Sequence, residues 1–505
     1  MKKIKELIKE YKLIIIFSIL ACTILHLPLF TKTLLTGDVL LNTNYYSGYA
    51  WEISLGRFGL YFYGLLKGFI VVPELEIILS IFFITGSIIL MLDLLEIKKR
   101  YLQILSCLLI ILSPVISCTL LFHYCSLPYS LAFFATALAI YLLINSKNKI
   151  WKYILPCILT TLALSMYQAY LAIGLTLLLL YWMIQIIKKK FNWKKFFISF
   201  LIILLGTVFY YILMKLSLLI THVELSTYKG ANTVGIKSLL EIPEGLLHSY
   251  QTFYDFYFTD NIVNTTNIGM NYLNFIFLLL LITASIVLIL RKKVSIKYVL
   301  LFYLFLFLLP VTMNVITIII PDTNMQILQG IAYLLLFFFL CYLINDNKVL
   351  QIIAIFLFIF MIRGYYIQDN ATYKVLEQTY HKTYSIASDI KEKIIEIDYN
   401  KPVMIAGDIG KNKYYMKKQT TELSQLSNLT YGYVSNYPLF WNEFTNMKNG
   451  WSRFMETYLG FPITFVDLDT YQKILETDEY KDMKIYPDKD SIQQIDDVIV
   501  VKLSN

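Results

Sequence analysis

Long apolar runs with few charges recur along this chain of 505 residues, and they constrain its fold more than any other feature. A helix needs about 18 or more mainly apolar residues to cross the hydrocarbon core of a bilayer. Eleven stretches come close to or exceed that length: 13–30, 75–95, 101–118, 129–145, 150–167, 170–187, 195–216, 273–290, 298–320, 327–344 and 348–364. Only 16% of the residues are charged. We therefore predict a mainly α, polytopic membrane helix bundle with about eleven transmembrane helices.

The distribution of lysine and arginine predicts how these helices are oriented. Loops on the side of the amino terminus carry 21 basic residues, whereas the opposite loops carry five. Cytoplasmic loops are the ones that carry such an excess. We therefore expect a multi-pass protein of the bacterial cytoplasmic membrane with a cytoplasmic amino terminus. An odd number of spans then places the C-terminal part outside.

Two domains follow from this arrangement. Residues 1–364 form the predicted transmembrane domain, with outer loops 31–74 and 217–272, and residues 365–505 form a predicted extracytoplasmic domain. The C-terminal part has an α/β pattern, because 371–396 favours a helix while 402–407 and 498–502 favour strands. No GxxxxGK[ST] occurs and no GxGxxG follows a strand, so we do not expect chemistry driven by ATP or a nucleotide sugar. The charge excess lies in short loops, which argues against nucleic-acid binding.

Two carboxylates in the first outer loop are candidates for acid–base chemistry. Asp38 follows the first span closely, where a carboxylate can take a proton from a sugar hydroxyl at the depth of a lipid-linked donor. The alternative is a solvated loop aspartate that caps a helix after Gly37. Glu52 is the second carboxylate and stands as a rival or a helper.

Three further residues suit a lipid-phosphate donor. Arg57 and Arg363 are candidates for binding the donor phosphate, since a guanidinium matches phosphate geometry. Arg363 ends the last predicted span and equally suits a snorkelling anchor. Trp51 suits stacking on a sugar ring, although the interfacial aromatic belt is the commoner role of a single tryptophan.

A short motif at 167–170 lies at the outer turn between two predicted spans. Gln168 offers both a hydrogen-bond donor and an acceptor, and Tyr167 and Tyr170 flank it. These three residues are candidates for binding the sugar or the acceptor. The alternative is a turn with interfacial tyrosines.

The order of these features resembles the GtrII family of glucosyltransferases across nearly the whole chain. The resemblance rests on Asp38 after the first span, Trp51 with Gly56-Arg57 in the first outer loop, residues 167–170, and the C-terminal stretch 483–503. It implies a GT-C type fold and transfer of glucose from a polyprenyl-phosphate carrier to a cell-envelope glycan. It also implies that Asp38 is catalytic.

One departure from the family pattern affects the predicted site. Family members often have two adjacent acidic residues where this chain has Asp38-Val39. This departure weakens the case for a metal site and leaves Glu52 as rival or helper. The sequence does not indicate whether a divalent metal (Mg or Mn) takes part, and we assign no metal ligand.

The expected reaction is inverting single displacement, with a polyprenyl-phosphate-linked sugar donor, a cell-envelope glycan acceptor and membrane lipids as the partners. One alternative is a lipid-linked glycan flippase or another transporter, although transporters often show repeated halves that this chain lacks. A second alternative is a glycan polymerase, which uses the same class of donor.

Overall fold

The computed structural model describes residues 2–46, 48–228, 241–319, 325–414, 421–427 and 444–504. Residues 229–240 of the predicted outer loop, and residue 320 at the end of a predicted span, lie outside the described residues. The chain divides into two compact units. The helical unit comprises Met1–Phe30 and Asn44–Asp369, and the C-terminal unit comprises Thr31–Thr43 and Asn370–Asn505.

Helices account for almost all of the described chain up to residue 397. They are α1 Lys2–Leu25, α2 Pro28–Thr31, α3 Gly37–Leu41, α4 Tyr49–Ser54, α5 Phe58–Leu66, α6 Pro73–Leu94, α7 Arg100–Ile111, α8 Pro114–Leu121, α9 Ser126–Asn145, α10 Leu155–Met166, α11 Leu171–Ile187, α12 Trp193–Thr221, α13 Ile242–Phe258, α14 Met270–Lys292, α15 Ile296–Phe307, α16 Leu309–Met313, α17 Val315–Ile319, α18 Ile331–Ile344 and α19 Lys348–Ile397. A π-helical turn, Ile150–Ile154, precedes α10, and 3₁₀ turns at Gln168–Tyr170 and Ile327–Gln329 precede α11 and α18.

Several helices satisfy the length and composition needed to cross a membrane. In the described part of the chain there are seven: Pro73–Leu94, Ser126–Asn145, Gln168–Ile187, Trp193–Thr221, Met270–Lys292, Ile296–Met313 and Lys348–Ile397. The bent pair α7 and α8 makes an eighth if it is counted as one span. Two shorter apolar helices, Ile150–Met166 and Ile331–Ile344, also lie where spans are predicted. The chain is a multi-pass membrane protein, and the count of eleven spans stays a prediction.

The bend between α7 and α8 has a local cause in the sequence. The two helices meet at 49° around Ser113-Pro114. Proline disfavours a helical conformation in the residue before it, so α7 ends there. Ser113 then caps the next helix, because its hydroxyl accepts a hydrogen bond from the Val115 amide at 3.3 Å. The predicted straight span 101–118 is therefore two helices.

Burial separates inner helices from outer ones. Every residue of α18 except Tyr342 is buried, as expected of a helix that is apolar on all sides and lies in the core of a bundle. By contrast, only 22% of an apolar 18-residue stretch of α12 is buried. Soluble proteins rarely leave so much contiguous apolar surface uncovered, so we interpret α12 as facing lipid.

The C-terminal unit contains a small mixed sheet. Its strands are β1 Val403–Ala406, β2 Ile492–Ile495 and β3 Val498–Lys502. Fully buried β3 lies in the centre, parallel to β1 and antiparallel to β2. Helices α20 Thr421–Leu426, α21 Phe444–Leu459, α22 Leu468–Glu476 and α23 Asp478–Asp482 accompany it, with 3₁₀ turns at Ile409–Lys411 and Lys489–Ser491. Strands β1 and β3 lie where the sequence predicts them, whereas β2 was not predicted.

Candidate functional site

The short helix α4 ends in a tight turn that sets the position of Arg57. Gly56 has a φ of +78°, in the left-handed region that glycine tolerates. The Gly56 amide donates to Ile53 O and the Arg57 amide donates to Glu52 O, both at 2.8 Å. These two bonds make a Schellman motif, the usual glycine-dependent end of a helix. The turn therefore brings the backbone of Arg57 back to Glu52.

The side chains of Glu52 and Arg57 form an ion pair in the same place. Arg57 Nη1 lies 3.3 Å from Glu52 Oε2. The other carboxylate oxygen, Oε1, accepts a hydrogen bond of 2.5 Å from the Tyr46 hydroxyl. Burial, and after it the charge of Glu52, raise the pKa of Tyr46 well above its usual range. The phenol therefore stays protonated and donates to the carboxylate.

Aromatic rings enclose the guanidinium on another side. The Arg57 guanidinium carbon lies 4.9 Å from the centroid of the Tyr167 ring, at cation–π distance. Tyr129 stacks on Tyr167 at 4.7 Å, and Tyr170 meets it edge-on at 5.3 Å. The Arg57 side chain is 21% exposed, and its Nε is buried without a hydrogen-bond partner among the described residues. The arginine is thus held in place while one of its donors is unused.

Gln168 and Tyr210 hold the turn after α4. The Gln168 amide nitrogen donates to Leu55 O at 2.6 Å and to the Tyr210 hydroxyl at 2.9 Å, and that hydroxyl donates to Gly56 O at 3.1 Å. A methyl group on Gly56 would lie within 3 Å of the Tyr210 hydroxyl, Met214 Sδ and Gln168 Nε2. The turn between α10 and α11 is therefore tied, together with α12, to the segment that carries Arg57.

A second buried carboxylate lies beside this cluster. Glu76 accepts hydrogen bonds from the Tyr63 hydroxyl at 2.6 Å and from Lys67 Nζ at 2.5 Å. Lys67 also donates to Tyr124 O at 3.5 Å, and the Tyr124 ring packs against Tyr46 at 5.0 Å. Tyr124 therefore connects the Glu76 cluster with the Glu52 cluster.

Four of the predicted site residues thus come together: Glu52, Arg57, Tyr167 and Gln168. Tyr170 is adjacent but fully buried. Trp51 points elsewhere, since it is 49% exposed and meets the ring of Tyr228 edge-on at 5.4 Å. Arg363 is exposed on α19.

Asp38 belongs to the C-terminal unit rather than to the helical unit. It is half-buried in the first turn of α3. Thr36 is the N-cap residue, because its hydroxyl accepts from the Val39 amide at 3.3 Å. The interpretation of Asp38 as the helix cap is therefore wrong. Its position, one residue into a helix, still favours a negative charge through the helix dipole.

Sequence reasoning missed Tyr46, Tyr129 and Tyr210. Each is a buried tyrosine in a chain with 40 tyrosines, so composition gives no reason to select it. The order Glu52, Gly56, Arg57 was the usable signal, because a glycine four residues after Glu52 predicts a helix end that turns the next residue back. Within the described ranges, no group of three or more His, Cys, Asp or Glu side chains could hold a metal ion.

Comparison with known proteins identifies the family of this chain. The family model described as Glucosyl transferase GtrII matches residues 27–343, more than half of the chain. That range includes Asp38 and the whole Glu52–Arg57 cluster. No curated protein and no solved structure matches the chain. The chain therefore belongs to the GtrII glucosyl transferase family, and it is a membrane glycosyltransferase.

Proposed function

We propose that this glycosyltransferase moves glucose from a polyprenyl-phosphate carrier to a cell-envelope glycan. The reaction takes place at the outer face of the bacterial cytoplasmic membrane, in a GT-C type helix bundle. The observation that carries the proposal is the family match over the segment that holds the Glu52–Arg57 pair among membrane helices. A fixed cation that is partly screened from water stabilises the charge of a leaving phosphate more strongly than a cation in bulk solvent does.

Arg57 is the proposed donor-phosphate ligand, with exposed Arg363 as a second one. The ion pair with Glu52 and the ring of Tyr167 fix the guanidinium, and its Nε has no partner within the described chain. A phosphate oxygen is the acceptor that this donor fits best, since guanidinium and phosphate form charge-assisted hydrogen bonds. Glu52 then acts by positioning Arg57, because both of its oxygens are already engaged.

Asp38 is the proposed general base. It takes the proton of the acceptor hydroxyl as that oxygen attacks the anomeric carbon, and the bond to the carrier phosphate breaks with inversion. Exposed Trp51 suits stacking on a sugar ring. Tyr167, Gln168 and Tyr170 complete the proposed sugar and acceptor subsite, with Gln168 also holding the Arg57 turn.

The test uses membranes that contain the full chain and radiolabelled polyprenyl-phosphate glucose. We expect Asp38→Asn to lower the transfer rate by about 10²-fold or more, the usual contribution of a general base. Asp469→Asn is the matched control, because Asp469 is also the second residue of a helix in the C-terminal unit. Wild-type transfer by the Asp38 variant would remove it from the mechanism. Arg57→Lys should raise the KM for the donor, because lysine keeps the charge and loses the planar donors.

Product analysis separates this function from its alternatives. A transferase adds single glucose branches, a glycan polymerase lengthens the chain, and a flippase moves the lipid-linked glycan with no new glycosidic bond. The family match favours transfer over transport. Formation of labelled polymer, or no covalent product under donor saturation, would contradict the proposal.

A further inference from the structure

Two adjoining clefts open at one end of the helical unit. None of the residues that line them belongs to the proposed transfer site. The first has a volume of about 390 Å³ and the second of about 490 Å³. Asn345 and Asp346, which follow α18, line both. The Asn345 side chain accepts from the Lys98 amide at 3.2 Å and donates to Glu96 O at 3.0 Å. The segment that follows α6 is therefore tied to the end of α18 beside the clefts.

The first cleft is strongly basic. Its charged lining consists of Glu96, Asp346, Lys98, Lys188, Lys189, Lys190 and Lys292. Five lysines against two acidic residues leave an excess of three positive charges. Glu96 forms its ion pair with Lys188, whereas the other four lysines are exposed and form no ion pair among the described residues. The cleft thus holds charge that an anionic ligand can neutralise.

Backbone turns cap the helices that surround the first cleft. Three helices, α6, α11 and α14, each have a residue with positive φ within two residues of their end: Glu96 at 56°, Lys189 at 57° and Lys293 at 49°. In each turn the amide of the next residue bonds back to a carbonyl five residues earlier, as Lys190 N does to Gln185 O at 2.8 Å. These turns satisfy the helix ends through the backbone. The lysine side chains are therefore not needed to cap the carbonyl groups.

Both clefts also have an apolar wall. Ile187, Leu288 and Leu343 line the first, and Ile352 and Ile355 line the second beside Lys99 and Lys348. Ile352 is 55% exposed on α19, a helix long and apolar enough to span the membrane. A charged pocket that continues into lipid-facing apolar surface matches a molecule with an anionic head and an acyl chain. A small soluble anion has no apolar group that could contact the apolar walls of the clefts.

We infer that the paired clefts bind the phosphodiester headgroup of an anionic phospholipid, with an acyl chain along α19. Basic pockets between membrane helices are known to bind such headgroups. The inference is independent of the transfer reaction proposed above. It also goes beyond the excess of lysine that orients membrane helices, because Lys147 and Lys149 lie in another predicted cytoplasmic loop and line neither cleft.

The test is native mass spectrometry of the full chain, titrated in detergent with phosphatidylglycerol or phosphatidylcholine. We expect binding of phosphatidylglycerol over phosphatidylcholine. Lys98→Gln with Lys292→Gln should weaken it roughly 25-fold, about fivefold for each lysine. The control Lys147→Gln with Lys149→Gln removes the same charge from exposed positions outside the clefts and should bind as the wild type does.

Three results would overturn the inference. They are an unchanged affinity in the Lys98 and Lys292 variant, an equal loss in the control, and displacement of phosphatidylglycerol by inorganic phosphate, which would indicate a soluble anion instead. A further variant, Lys98→Arg with Lys292→Arg, keeps both charges and guards against a folding defect. It should retain the preference for phosphatidylglycerol, and its failure to do so would also contradict a headgroup site.

Discussion

The two oxygens of the Glu52 carboxylate have different partners, and this decides what the residue can do. Oε1 accepts a hydrogen bond from the Tyr46 hydroxyl at 2.5 Å, and Oε2 faces Arg57 at 3.3 Å. Both oxygens of this buried carboxylate are therefore engaged within the chain. Replacing Glu52 by a neutral residue would leave the mostly buried Arg57 without its counter-charge, and this lowers the stability of the fold. Glu52 is therefore better suited to orienting Arg57 than to accepting a substrate proton.

Tyr46→Phe tests this arrangement by removing a single hydroxyl group. The variant removes the hydroxyl that donates to the Glu52 carboxylate, a charge-assisted bond that contributes about 1.5–3 kcal/mol. We expect a loss of that order in the free energy of unfolding, measured by chemical denaturation in detergent, together with a higher KM for the donor. Tyr49→Phe is the control, because Tyr49 is 46% exposed and contacts neighbouring rings. Equal stability of both variants would contradict the role given to the Tyr46 hydroxyl.

The turn glycine provides a second residue-scale prediction. Gly56→Ala combines a positive φ, which costs an L-residue about 1–2 kcal/mol, with a methyl group within 3 Å of three side-chain atoms. Overpacking adds about 1–3 kcal/mol. Gly68→Ala is the matched control, since Gly68 has a φ of +64° and no atom within 4 Å of the added methyl. We expect the Gly56 variant to unfold at the lower temperature and to transfer glucose poorly, and the reverse order of stabilities would refute the packing argument.

At the scale of elements, apolar length is the part of the fold that the sequence predicts well. Each predicted span lies on one or more helices, because twenty apolar residues have few other ways to satisfy their backbone. The region 31–74 was harder. The short helix α4 depends on the turn at Gly56 and on a contact with the distant Gln168. Such non-local contacts leave no period in the sequence.

The strands of the C-terminal unit show the same division. β3 is a run of apolar residues and was predicted, whereas Ile492–Ile495 reads Ile-Gln-Gln-Ile and carries no clear strand pattern. It forms β2 because the tight turn at Asp496, whose φ is 51°, folds it back against β3 as an antiparallel neighbour. Asp38 shows the other limit, since sequence proximity to the first span did not predict that it belongs to the C-terminal unit.

The helix α22 provides a prediction about pH. Asp467 is its N-cap, and the hydrogen bond from the Thr470 amide lowers the pKa of that carboxyl. A lowered folded-state pKa means that the stabilisation is present above the unfolded value of about 3.9 and is lost as the pH falls through the folded value. We expect protection of the α22 amides from hydrogen exchange, corrected for intrinsic rates, to fall below about pH 4. Asp467→Asn retains a capping side chain and should remove that pH dependence, so a parallel fall in the variant would contradict the assignment.

At the scale of the whole molecule, function depends on which face of the membrane each part meets. The proposed donor lies at the outer surface, so the segments that carry Asp38 and Arg57 must meet that surface. The basic clefts lie at the predicted cytoplasmic side, with lysines at or after the ends of α6, α11 and α14. The charge asymmetry predicts that transfer site and headgroup clefts lie on opposite faces. The orientation of the chain therefore decides the transfer proposal.

Cysteine labelling can test that orientation in intact cells, because the native thiols give little background. Five of the six cysteines are buried and Cys157 is only partly accessible. Lys147→Cys and Lys489→Cys place thiols at exposed positions, one in a predicted inner loop and one in the C-terminal unit. A membrane-impermeant maleimide should label residue 489 in intact cells and residue 147 only after permeabilisation, while the parent chain shows the background. The opposite pattern would place the C-terminal unit in the cytosol, where no outer-face donor reaches it, and transfer as proposed would have to be given up. Because the headgroup clefts need only a lipid surface, they would stand in either orientation.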